Sequence, residues 1–198
     1  MKTAEVVHFR DSEELPEDVI KEIREKGGEY SLDDIIPFST KEIAVAEWVN
    51  LKCRYGCSQY NRSWCCPPAT PGLEEARRIL SEYSEALLLI GTQECPEFYQ
   101  NNRGKRAKQV RYWKGVVSLE RILFLKGYYK VFSLVGVTCS LCRTCSYPEP
   151  CLFPQEKRPT VESFSIDLIG TLKNLGMAPR VANHRREIFN YYSMILLQ

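Results

Sequence analysis

The sequence is poor in the features that identify most enzymes at sight. It has only two histidines, His8 and His184. Neither stands in a His–carboxylate or Ser–His spacing that would point to acid–base or nucleophilic catalysis. No glycine-rich phosphate loop is present, and no internal repeat or low-complexity tract. The longest apolar runs, "ALLLI" and "MILL", are far too short to cross a bilayer. The opening "MKTAEVVHFRDSEELPED" lacks the apolar core of a signal peptide. A net charge of +2 places no global electrostatic demand for nucleic acid or an anionic membrane. These absences predict a cytoplasmic chain without a membrane span, and nucleic acid is not an expected partner.

What the sequence does have is cysteine, nine of them in 198 residues. In the cytoplasm thiols stay reduced and structural disulfides are rare, so this number asks for a metal or a redox task. Eight of the nine fall into two groups. Cys53, Cys57, Cys65 and Cys66 lie in "CRYGCSQYNRSWCCPP", and Cys139, Cys142, Cys145 and Cys151 lie in "CSLCRTCSYPEPC". Cys95 stands between them and reads as a small buried residue after a strand.

Around these groups the pattern alternates between strands and helices. "EIAVAEWVNL" (42–51) predicts a strand leading into the first group. Thr70-Pro71 opens a helix whose buried face is Leu73, Ala76, Ile79, Leu80 and Tyr83. "ALLLIGT" (86–92) predicts a strand covered on both sides. A helix is expected over 97–125 with Trp113, Val116, Val117, Leu123 and Phe124 in the core, stopped at Gly127. Strands are expected over 129–136 and 189–197, and a helix capped by Thr160 runs to Leu175. This order predicts an α/β fold with a small, mostly parallel sheet flanked by helices, and cysteine-rich metal-binding loops at one sheet edge. Residues 41–198 form the metal-binding domain. Residues 1–40, with a helix near 16–26 ended by Gly27-Gly28, read as an extension or flap.

Three thiols at Cys139-x-x-Cys142-x-x-Cys145 can point inward from a loop wrapped around one compact object. Ferredoxins use this spacing for three corners of a [4Fe–4S] cube, and Cys151 supplies the fourth ligand here. Pro148, Pro150 and Pro154 stiffen the loop, leaving the other amides to bond cluster sulfurs. Structural zinc more often uses two separated ligand pairs, so zinc is the alternative to iron–sulfur. Cys53, Cys57 and Cys66 predict a second site whose fourth ligand is Cys65, Cys95 or no protein group. Adjacent thiols rarely reach one metal comfortably, so Cys66 is taken as the ligand and Cys65 as a bystander. A cluster held by three cysteines leaves one iron open to a substrate.

The blocks "LKCRYGCSQYNRSWCCPPATPGLEEARRIL" and "CSLCRTCSYPEPCLFPQEKRPTVESFSIDLIGTLKNLGM", with a closing tyrosine-rich strand, resemble a family of uncharacterised predicted metal-binding proteins found largely in archaea and anaerobic bacteria. The resemblance covers most of the chain beyond about residue 40. It implies metal binding, as iron–sulfur, through Cys53, Cys57, Cys66, Cys139, Cys142, Cys145 and Cys151. Two departures stand out: the doubled Cys65-Cys66, and Ser165 where a "GID"-like turn would carry glycine.

The resulting expectation is an iron–sulfur redox protein with one or two [4Fe–4S] clusters. It would transfer electrons to a redox partner protein, or act on a small-molecule substrate by reductase or sulfur-transfer chemistry at an open iron. The alternative is a zinc-stabilised interaction module without redox activity, binding through residues 103–111 of the basic run "NNRGKRAKQVR" (101–111). By itself that run reads as a solvated helix face.

Overall fold

The structure is a computed structural model that describes residues 15–94, 103–179 and 188–198. Its elements, in chain order, are α1 (Glu17–Gly28), β1 (Leu32–Ser39), α2 (Glu47–Gly56), α3 (Leu73–Leu80), β2 (Glu85–Glu94), α4 (Arg103–Leu125), β3 (Phe132–Leu134), α5 (Leu168–Asn174) and β4 (Ile188–Leu197). Two short 3-10 turns, Thr40–Glu42 and Glu162–Phe164, complete the set. The four strands form one sheet in the order β1-β2-β4-β3.

Strand β2 organises the molecule. It is hydrogen-bonded to β1 on one side and β4 on the other. Successive strand residues point to opposite faces, so its continuous apolar run feeds two cores. Leu87 and Leu89 join α1 and α4 in one layer, around Val19, Ile23, Trp113, Val116 and Val117. Ala86, Leu88 and Ile90 join α3 and α5 in the other, around Ala76, Leu80, Phe164 and Leu172. The sheet therefore lies between two helical layers.

The expected mostly parallel sheet is overturned, because every strand pair is antiparallel. β2 and β3 run the same way, but β4 lies between them and opposes both. Unbroken apolar runs usually mark parallel strands, since those are buried on both faces. Here an antiparallel sheet is covered on both faces and produces the same signature. The expected strand over 42–51 is also wrong. Only Val45 bridges, to Ile166, and residues 47–56 are the helix α2. Of its large apolar residues Val49 is buried, while Trp48, Leu51 and Tyr55 face outward.

The strand absent from that reading is β1, within the segment expected to be an extension. It contributes Leu32, Ile35 and Phe38 to the cores, and α1 adds Val19 and Ile23. Pro37 is tolerated there because β1 is an edge strand with one partner. Among the expected core positions of α4, Trp113, Val116, Val117 and Leu123 are fully buried and Phe124 is 45% exposed. The helix expected from Thr160 is a 3-10 turn followed by α5. Its cap is Asp167, whose Oδ1 accepts the Gly170 N–H at 2.9 Å. No helix among the described residues is long and apolar enough to cross a membrane.

Candidate metal centre

Helix α2 carries Cys53 in its last turn, and Cys57 caps its C-terminal end. The chain then turns and returns with Cys66. These three thiols line one open cavity of about 770 Å³, together with Trp48, Lys52, Val137, Glu162 and Asp167. Burial pushes the Cys66 thiol up to about 12, and the nearby charges of Cys57 and Cys53 add to the effect. Cys53 is raised by burial, then by Cys57 and by Glu162. Burial likewise raises the Glu162 carboxyl. Two thiols, Cys53 and Cys66, and the Glu162 carboxyl resist ionisation around one hollow, and a cation there would displace their protons.

The second group has no regular secondary structure between β3 and the 3-10 turn at Glu162. Burial raises the Cys142 thiol, helped by its neighbours Cys139, Cys145 and Cys151, and Arg106 of α4 opposes the rise. Cys139, Cys145 and Cys151 thus all lie within reach of the Cys142 thiol's charge. Backbone amides face their sulfurs, as in Phe153 N–H to Cys151 Sγ at 3.4 Å and Leu141 N–H to Cys139 Sγ. The basic run is more than a solvated face. Arg106 donates to the Leu141 carbonyl at 2.7 Å, and the Ser140 hydroxyl donates to Gln109 Oε1 at 3.0 Å, so α4 clasps this loop. Residues 101 and 102 of the run lie outside the described residues, as do Cys95, His8 and His184.

The two groups meet. Trp64 Nε1 donates to the Glu149 carbonyl at 2.8 Å, and its ring packs edge-on against Tyr147 with centroids 5.0 Å apart. The Thr160 N–H donates to the Cys65 carbonyl at 3.3 Å, while Val135 and Thr160 form a parallel bridge beside β3. The sequence reading missed Cys65. Its thiol is 2% exposed and donates a hydrogen bond to Cys139, which raises Cys65 and lowers Cys139. Cys66 faces the first group and Cys65 the second. Nothing in the pattern of two adjacent cysteines announces that division.

Ser165 explains the expected glycine. Its φ is 61°, in the left-handed region that glycine adopts without cost. Serine is held there by Asn50 Nδ2, which donates to its hydroxyl at 2.9 Å, and by the Ala46 N–H, which donates to its carbonyl at 2.9 Å.

All eight described cysteines are free of disulfides. Among the described residues, no three His, Cys, Asp or Glu side chains close around a common point as ligands of a single ion would. The donor set itself suits a soft metal: two thiol groups, one of three and one of four, with amides directed at the sulfurs. Residues 37–197 match the sequence model of a family described as "Predicted metal-binding protein (DUF2284)". No curated protein and no solved structure matches the chain.

Proposed function

From the premise that the chain belongs to this family of predicted metal-binding proteins, we propose that it holds iron–sulfur clusters at both cysteine groups. Cys139, Cys142, Cys145 and Cys151 would ligate a [4Fe–4S] cluster. Cys53, Cys57 and Cys66 would ligate a second cluster, open on the cavity side. The observation that carries this reading is the pairing of a four-thiol group with a three-thiol group that lines a cavity. Thiols close enough to influence one another's charge form the kind of donor set that a cluster uses. Four cysteines are the usual complement of a cubane, and three leave one iron for another ligand.

The role follows from that asymmetry. The cluster that Cys139, Cys142, Cys145 and Cys151 would hold would supply electron exchange with a redox partner protein, and the one that Cys53, Cys57 and Cys66 would hold would supply reduction of a small molecule in the cavity. Glu162 and Lys52 line the same cavity, and in this reading they would hold a proton and an anionic group of that molecule. A reducing cytoplasm is the matching compartment.

The test is anaerobic purification followed by an absorption spectrum and iron, zinc and acid-labile sulfide analysis. A brown protein with about eight irons and equal sulfide is expected. A colourless protein with zinc and no sulfide would overturn the redox reading and leave a zinc-stabilised module.

A further inference from the structure

A second open cavity, of about 580 Å³, shares no lining residue with the cavity of the three thiols. Its walls come from the loop after Cys57, from the segment after Cys151, and from α3 and β3. They are aromatic: Trp64, Tyr83, Phe132 and Phe164. The Trp64 ring is fixed before any guest arrives, because Nε1 donates to the Glu149 carbonyl at 2.8 Å and Tyr147 packs edge-on against it. Two cations complete the lining. The Arg158 guanidinium lies 5.4 Å from the Phe132 ring centre, and the Lys157 ammonium lies 4.8 Å from that of Trp64. Their charges are not equivalent. Arg158 is neutralised by Glu120, its Nε donating to Oε2 at 2.8 Å. The neighbouring Glu156 is paired with Arg121 at 3.1 Å. Among the described residues Lys157 makes no ion pair, and its charge rests over the Trp64 ring.

We propose that this cavity binds an aromatic carboxylate, its ring among the aromatic walls and its carboxylate on Lys157. Flat π faces favour a flat guest, which gains stacking as well as burial. The cation without a carboxylate partner favours a negative guest and repels a positive one. The volume falls within the range of small-molecule sites, roughly 300–1,000 Å³, and such sites pair apolar walls with a few polar groups that fix orientation. No cysteine lines this cavity, so the assignment stands independently of the metal-binding reading.

The experiment uses full-length chain purified anaerobically with whatever metal it acquires on expression. Two probes are titrated calorimetrically: 2-naphthoate, and 2-naphthalenemethanol as its neutral counterpart. The wild-type chain should bind 2-naphthoate at one saturable site, with a dissociation constant on the order of 1 mM or tighter. The neutral probe should bind roughly tenfold more weakly. Lys157→Gln should weaken 2-naphthoate by a similar factor and leave the neutral probe unchanged. Ala69→Phe, which fills the cavity, should abolish binding of both; if that variant does not fold, Ile79→Phe replaces it. Lys52→Gln, in the other cavity, should change neither.

Absence of saturable 2-naphthoate binding would overturn the proposal. Equal affinity for the two probes, or 2-naphthoate binding indifferent to Lys157→Gln, would remove the anion from the assignment and overturn it too. Weakening by Lys52→Gln with no effect of Lys157→Gln would move the ligand to the thiol-lined cavity and overturn it equally. Metal content is measured on the same samples, so failure of the metal reading is scored separately from failure of this one.

Discussion

The two cysteine groups solve one problem in opposite ways. Two of the first group's thiols ride on α2 and its C-terminal cap, and all three look into a cavity of about 770 Å³. The second group's thiols hang on a loop without helix or strand, clasped by Arg106 and Gln109 of α4, and Cys142, Cys145 and Cys151 do not line that cavity. A helix keeps its shape when its ligands are empty. A loop of this kind has no backbone ladder of its own and depends on what it wraps. The first centre is therefore built around a preformed hollow, and the second around dependence on the metal it wraps.

The sharpest way to break this contrast is to remove one ligand from each group. Cys142→Ser should lose the second centre's metal, about four irons if it is a cubane, and should lower the thermal midpoint, because metal binding there is coupled to ordering the loop. Cys53→Ser should lose only the first centre's metal, with a smaller drop in the midpoint, since Val49 and the rest of α2 remain packed. Metal analysis with thermal denaturation checks both. Loss of all metal from either variant would merge the two centres into one cooperative unit.

A second test acts through the Glu120–Arg158 pair. Glu120 also accepts the Ser133 N–H at 2.8 Å, so one carboxylate ties α4 to β3 and to the segment after Cys151. Glu120→Ala leaves a nearly buried guanidinium uncompensated and should cost about 3–5 kcal/mol in denaturant unfolding. Its effect on metal should fall on the four-cysteine centre, because Arg158 anchors the segment that follows Cys151. The smallest expected effect is that of Arg106→Ala, which removes one hydrogen bond to the second loop, about 1 kcal/mol. Chelator resistance of the four-cysteine metal should fall slightly, with the three-cysteine metal unchanged.

How much of this was legible beforehand varies with the kind of signal. Cysteine spacing revealed both groups, because spacing along the chain is local, and favoured Cys66 for the first site, but it gave no sign of where Cys65 faces. β2 was legible as a strand covered on both faces, but the same doubly covered run suggested parallel neighbours. β1 was hidden by Asp33, Asp34 and Pro37, residues an edge strand accepts and a central one would not. α2 was read as a strand because its apolar residues lie on both faces, Val49 inward and Trp48, Leu51 and Tyr55 outward. The role of Arg106 was invisible for another reason. Its partner is a carbonyl 35 residues away, and no pattern in a run of basic residues encodes a backbone acceptor.

The double allegiance of β2 bears on how the molecule comes apart. Leu87 and Leu89 close one core while Ala86, Leu88 and Ile90 close the other, and both edges of the strand are bonded. Neither helical layer can dissolve without stripping a wall from its opposite. Opening should therefore be cooperative across the sheet, with one calorimetric transition for its two layers. Amide hydrogens over 86–90 should exchange only through global unfolding, and last of all in the chain.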